Sequence, residues 1–127
     1  MNLKNQAIAL MREFAPDAVM TAPVPDTLKG TLSLMKAPGD AIARVREGAR
    51  PSWIVVPSFE PGAEARLEAL PKAQAHLLLA EQAFNYDIHG VDGFEATADL
   101  VDGADCLAFT YSRLDDAVRV FDELAAA

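Results

Sequence analysis

The side chains best suited to chemistry are concentrated in one short segment, residues 85–95. It contains Asp87, His89, Asp92 and Glu95, together with Tyr86. Carboxylates and an imidazole at the spacing Asp-x-His-x-x-Asp could bind a metal ion or act as a general acid and base. The segment also follows a predicted buried strand, a position where α/β folds often build their sites.

The same residues fit simple structural roles as well. Asp and Gly are typical of loops, Asp92 could cap a helix that begins near Phe94, and His89 could be an imidazole on the surface. We therefore keep Asp87, His89, Asp92 and Glu95 as candidate catalytic residues for an unknown reaction. We expect neither a bound metal nor a cofactor.

Sequence motifs for nucleophilic catalysis and for phosphate binding are absent from the chain. It has no Gly-x-Ser-x-Gly nucleophile elbow, no Gly-x-Gly-x-x-Gly loop and no Walker sequence. The single cysteine, Cys106, lies within an apolar segment beside Asp105, so we expect a buried, unreactive thiol. His76 opens another apolar run and is expected to be a boundary residue.

One octet, Asp26-Thr27-Leu28-Lys29-Gly30-Thr31-Leu32-Ser33, resembles a segment near the start of glycerate kinases. That resemblance implies that Asp26 and Lys29 would lie at a substrate. The family continues after its next strand into Asp-Gly-Gly-Glu-Gly, whereas this chain has Ser58-Phe59-Glu60-Pro61-Gly62. Because the resemblance covers under half of the chain and fails after Leu70, we do not assign the chain to that family.

Composition narrows the possible partners. The chain has 127 residues, with 19 acidic against 11 basic side chains and a net charge of −8. A negative surface repels nucleic acids and anionic membranes, so we expect neither as a partner. Residues 1–14 lack an uninterrupted apolar stretch, no segment is apolar for the length of a bilayer, and the lone cysteine suits a reducing compartment. We expect a cytoplasmic protein.

Apolar periodicity and the Pro and Gly positions predict alternating helices and strands. The predicted helices are residues 3–14, 41–50, 61–70, 94–101 and 113 to the C-terminus. The predicted strands are residues 18–22, 53–56, 76–80 and 105–111, and 53–56 is expected to be central because it lacks polar alternation. Residues 26–36 fit either a helix capped by Asp26 or a strand over 31–35, and Gly30 slightly favours the strand.

These elements predict one α/β domain, residues 1–127, with a four- to five-stranded, mostly parallel or mixed sheet flanked by helices. An α+β sheet with an antiparallel pair is the alternative, favoured if 31–35 pairs with 18–22. The expected core consists of Val19, Ile42, Val45, Ile54, Val55, Leu77, Leu78, Leu79, Leu107, Phe109, Val118 and Phe121.

Aromatic residues at predicted element ends provide the remaining evidence about function. They are Trp53, Phe59, Phe84, Tyr86 and Phe94. They either complete the core or form a surface for a partner, since aromatics are enriched at interface centres. The sequence therefore predicts a non-catalytic binding or regulatory module with a protein partner or a homodimer. The alternative is a small enzyme, or a protein that binds a metal or a small molecule, with its site in residues 85–95.

Overall fold

A computed structural model describes residues 1–126 as a mixture of helices and two small sheets. The strands are β1 (Asn2–Lys4), β2 (Val24–Thr27), β3 (Gly30–Leu34), β4 (Trp53–Phe59), β5 (Arg66–Ala69) and β6 (Asp105–Tyr111). The helices are α1 (Gln6–Phe14), α2 (Gly39–Ala43), α3 (Lys72–Gln82), α4 (Tyr86–Asp102) and α5 (Leu114–Ala126). Contacts divide the chain into two compact units, Met1–Gly48 and Ala49–Ala127.

The N-terminal unit contains an antiparallel sheet of order β1-β3-β2. Leu3 and Ser33 are paired across β1 and β3, and both are buried. Helix α1 contacts β1 and buries Ile8, so we place the covered face of the sheet on the side of Leu3. Asn2 and Leu34 are paired on the opposite face, where both are exposed.

The C-terminal unit contains a mixed sheet of order β4-β6-β5, in which β4 is parallel and β5 antiparallel to β6. One face packs against α3 and α4 through a buried cluster of Ile54, Ala75, Val101, Ala104 and Cys106. On the other face Phe109 is 1% exposed, and its ring lies 5.2 Å from the ring of Phe121 in α5. Both faces of this sheet therefore carry helices.

The prediction of one sheet with four to five strands, mostly parallel or mixed, is wrong in its number of sheets and strands. The strands form two separate three-stranded sheets, one antiparallel and one mixed, with one parallel pairing among residues 1–126. The coarser prediction of a mixed α/β protein is confirmed. The antiparallel alternative anticipated β3, which pairs with β1 and β2 and meets residues 18–22 at one bridge, Met20 to Met35. That residues 1–127 form one domain stays a prediction.

Several elements differ from their predictions in type. Residues 76–80, predicted as a strand, lie within α3, because a short apolar run with helix-forming Ala, Gln and Leu around it suits a helix equally well. Residues 66–69, predicted as helix, form β5, where Arg66-Leu67-Glu68-Ala69 alternates polar and apolar side chains along β6. The helix predicted over 41–50 is shortened to α2, and Ile42 and Val45 are exposed. A short helix is stable only when its apolar face packs against the rest of the protein. These exposed side chains do not provide that packing.

The strand predicted over 18–22 is wrong, because only Met20 forms an isolated bridge there. The remaining predictions are confirmed in type. Residues 6–14 are helical while residues 2–4 form a strand, 30–34 is a strand, and 94–101 lies within the longer α4. The strands at 53–56 and 105–111 and the C-terminal helix are also present. Strand β4, however, lies at the edge of its sheet and not at its centre.

The expected core is only partly correct. Ile54 and Phe109 are buried, and Val55, Leu78, Leu79 and Leu107 are partly buried. Six other predicted core residues are exposed, because their elements are absent, shortened or covered on one side only: Val19, Ile42, Val45, Leu77, Val118 and Phe121.

Candidate functional site

The chemistry-rich segment 85–95 lies along the first half of α4 and does not form a loop site. Asp87, His89, Asp92 and Glu95 are all exposed, and no side-chain hydrogen bond joins any two of them. Gly90 interrupts the helix with φ 51 and ψ −121. Asp92 lies inside α4 and therefore does not cap it. Within the described part of the chain, no group of three or more His, Cys, Asp or Glu side chains could hold a metal ion.

The one imidazole with a polar partner in this region is His76 of α3. Its Nε2 lies 2.9 Å from the hydroxyl of Tyr86, and its ring lies 4.8 Å from the ring of Phe94. Both aromatic partners belong to α4, so the cluster joins the two helices. It lines neither of the cavities described below. The arrangement is that of a structural contact between α3 and α4.

The octet 26–33 forms the hairpin that joins β2 to β3. Asp26 is exposed with φ 56, and Lys29 is exposed in the turn. The hydroxyl of Thr27 closes the turn by donating to the Gly30 carbonyl at 2.5 Å. No cation or anion partner of Asp26 or Lys29 is formed by a side chain among residues 1–126. These residues therefore form a tight turn between β2 and β3.

A contact that the sequence analysis did not foresee fixes this hairpin to the start of α1. Asn5 has φ 48 and ψ −123, and its Oδ1 accepts a hydrogen bond from the Thr31 N–H at 3.0 Å. Gly30 has φ 82, and a Cβ there would clash with that same Oδ1. Asn and Gly are the residues that most readily adopt positive φ. That preference at Asn5 and Gly30 is the only sequence signal for the contact.

The open face of the N-terminal sheet forms a cavity of about 380 Å³. Its apolar wall includes Val24, Leu32 and Leu34, and Val24 and Leu34 are each 57% exposed. The hydroxyl of Thr21 accepts a hydrogen bond from Leu34 N–H, and its carbonyl accepts one from Ser33. The cavity lining contains no charged side chain. Its exposed surface is mainly apolar.

In the C-terminal unit, the outer edge of β4 is not paired with another strand of the described residues. The Ser52 carbonyl accepts a hydrogen bond from Asp105 N–H at 3.0 Å, and Glu60 N–H donates to the Tyr111 carbonyl at 2.9 Å. Because a strand alternates the direction of its backbone groups, even-numbered residues from 52 to 60 face β6. Trp53, Val55, Pro57 and Phe59 therefore direct their backbone groups away from the sheet, and we call this row the open edge of β4.

The open edge of β4 carries exposed aromatic side chains. Trp53 is 41% and Phe59 60% exposed, at its two ends. No hydrogen bond among the described residues reaches the outward backbone groups of the edge. Pro57 lacks an N–H, and a proline within a strand is typical of an edge position. That signal in the sequence contradicts the prediction of a central strand.

The other predicted surface aromatics differ in their environment. Phe84 is fully exposed, Phe94 is 55% exposed beside His76, and Tyr86 is partly buried. A second, smaller cavity of about 190 Å³ lies between α5 and the sheet, with Val55, Pro57 and Phe121 in its lining. The exposed apolar surface of the C-terminal unit thus extends from β4 through this cavity to α5.

Comparison with protein-family models, with curated proteins and with solved structures finds no match to this chain. Among residues 1–126, no helix combines the length and the apolar character needed to cross a membrane. The candidate site therefore rests on the geometry of this chain alone.

Proposed function

We propose that this protein is a non-catalytic binding or regulatory module that associates with another protein through the unpaired edge of one of its β-sheets. The observation that carries the proposal is the open edge of β4, where aromatic side chains flank backbone groups without partners. Such a row is a template for pairing with a further strand. Aromatic residues supply much of the binding free energy at protein interfaces.

The polar residues support the same proposal by their arrangement. The four candidate catalytic residues are exposed, and no hydrogen bond joins their side chains as in a nucleophile–base pair. The apolar surfaces, in contrast, lie on ordered strands. A rigid strand loses little conformational entropy when it binds, which favours association there.

The net charge supports a choice among partner classes. A chain with a charge of −8 is repelled by phosphate backbones and by anionic lipid, so we propose a protein partner and neither nucleic acid nor membrane. The buried thiol of Cys106 suits a reducing compartment such as the cytoplasm, which we propose as the site of action.

Association of the full chain tests this proposal. Sedimentation velocity over a range of concentrations, with affinity capture from a cell extract, should detect self-association or a partner. The double variant Trp53→Ser with Phe59→Ser should lose what the wild type binds, because it removes both exposed aromatics. Phe84→Ser is the matched control, since Phe84 is exposed but lies away from any strand. A wild type that is monomeric throughout and captures nothing beyond the double variant overturns the proposal.

A further inference from the structure

We propose that the open edge of β4 binds the same edge of a second copy of this chain, in an antiparallel arrangement centred on Val55. The inference rests on the proposed function and specifies its partner.

The edge of β4 is the less protected of the two edges of its sheet. Strand β4 has seven residues, Trp53–Phe59, and none of them is charged. Strand β5, at the opposite edge, has four residues, and two of them are the charged Arg66 and Glu68, whose side chains lie 3.1 Å apart. Charged side chains, short length and proline are the usual protections of an edge strand, and Pro57 is the one of these that β4 has. Pairing is therefore expected at β4.

Pro57 removes a donor from the open edge but leaves an acceptor. In an antiparallel pair, two residues that face each other exchange both of their backbone hydrogen bonds, unless one of them is a proline. If the twofold axis passes through Val55, Val55 exchanges two bonds with Val55 of the partner subunit. Trp53 faces Pro57 of the partner subunit, and its N–H donates to the carbonyl of that proline, which occurs twice by symmetry. Four backbone hydrogen bonds therefore form in this register, and both outward N–H groups of Trp53 and Val55 have acceptors.

The side chains of this register are compatible on both faces. Val55 meets Val55 of the partner subunit at the axis, and Trp53 lies beside Pro57 of the partner subunit on the same face. On the other face Ile54 faces Val56 of the partner subunit, and neighbouring apolar side chains stabilise paired strands. No charged residue within β4 is brought against another.

The charges that flank β4 indicate a second copy as the occupant. Arg50 precedes the strand and Glu60 follows it, and both side chains are exposed. A residue before proline favours an extended backbone, so Arg50 is expected to continue the direction of β4, and Glu60 continues the ladder through its bond to Tyr111. In the proposed register Arg50 faces Glu60 of the partner subunit, on the same face of the paired sheet. Opposite charges that face each other across an antiparallel pair stabilise it. The symmetry forms this opposite-charge contact twice.

The association is expected to be weak. Four backbone hydrogen bonds and two aromatic contacts form a small interface, and each copy carries a net charge of −8, which opposes approach. We expect a dissociation constant in the micromolar to millimolar range. Measurements need near-physiological salt, where the general repulsion is screened beyond about 8 Å.

Charge reversal across the proposed contact tests the inference. Arg50→Glu and Glu60→Arg should each raise the dissociation constant about fivefold to thirtyfold, because each variant forms two like-charge contacts. The double variant Arg50→Glu with Glu60→Arg restores both opposite-charge contacts and keeps the net charge, so it should return to within about twofold of the wild type. Sedimentation velocity of the full chain from about 10 μM to about 1 mM measures all four proteins.

Two variants control for net charge alone. Arg46→Glu and Glu64→Arg change the charge by the same amounts at exposed residues outside the strand, and neither should move the dissociation constant more than about twofold. A wild type that is monomeric at about 1 mM overturns the inference. If that monomer still captures a protein partner through Trp53 and Phe59, the proposed function survives and only its homodimeric form is wrong. A dimer that the double variant fails to restore, or that the controls weaken equally, also overturns it.

Discussion

The two sheets of this protein differ in which part of each is left uncovered. The N-terminal sheet has one buried face, with Leu3 and Ser33, and one open face, with Val24 and Leu34. The C-terminal sheet has helices on both faces, and what remains open is the edge formed by β4. The apolar side chains of an open face make contacts that have little directional preference. The backbone groups of an open edge form hydrogen bonds in a fixed direction. Specific recognition is therefore expected at the edge.

The largest expected effect tests whether the C-terminal sheet is covered on its second face. Phe109→Ala should lower the free energy of unfolding by about 3–5 kcal/mol, since it removes a buried ring that contacts Phe121 and Tyr111. Denaturant unfolding followed by Trp53 fluorescence measures the change. Phe84→Ala, at an exposed ring, should change it by less than about 0.5 kcal/mol. Equal effects at the two positions would mean that α5 does not cover the sheet.

The next effect tests the one-sided burial of the N-terminal sheet. Leu3→Ala should cost about 2–5 kcal/mol, because Leu3 is 5% exposed, whereas Leu34→Ala on the open face should cost under about 1 kcal/mol. Hydrogen exchange of the β3 amides reports the stability of this unit directly. If Leu34→Ala were as costly as Leu3→Ala, the face that we describe as open would be a second core.

A smaller effect separates backbone strain from steric contact in the hairpin. Gly30 and Gly62 both have positive φ, but only Gly30 has a neighbour where a Cβ would be placed, Asn5 Oδ1. Gly62→Ala should cost about 1 kcal/mol from strain alone. Gly30→Ala should cost at least about 1 kcal/mol more, since Asn5 must move. Circular dichroism during denaturation, with exchange of the Thr31 amide, measures both variants. Equal costs would show that the Asn5 contact does not constrain the hairpin.

The smallest expected effect concerns the chemistry-rich segment. Asp87→Asn and His89→Ala should each change the free energy of unfolding by less than about 0.5 kcal/mol, because both side chains are exposed. Metal analysis of the purified protein, with thermal-shift measurements in zinc and in small-molecule sets, should give the same results for the wild type and the variants. A metal or ligand response lost in either variant would instead support the alternative of a small enzyme or ligand-binding protein.

In this chain, sequence patterns predict the individual helices and strands better than they predict which strands pair with each other. The strand at Asp105–Tyr111 and helix α5 have strong apolar patterns with clear boundaries, and both are present. The run at 76–80 is ambiguous because five apolar residues fit a buried strand and a helix equally well. Pairing between distant segments, such as β4 with β6, depends on tertiary packing that no local pattern contains.

The site was harder to predict than the fold for a related reason. Reactive residue types drew attention to Asp87 and His89, but residue type does not determine whether side chains converge. Pro57 was the better signal, since a proline is compatible with an edge and not with the middle of a sheet. The Asn5–Gly30 contact depends on backbone angles at two distant positions, which the sequence alone does not determine.

The central claim is that β4 pairs through its outward backbone groups, and amide hydrogen exchange measured by NMR tests it most directly. As the concentration of the full chain is raised, the amides of Trp53 and Val55 should exchange more slowly, because they then donate to the partner subunit. The amides of Ile54 and Val56 already face β6 and should change little. Unchanged exchange at Trp53 and Val55, in a sample that sedimentation shows to be dimeric, would contradict the account.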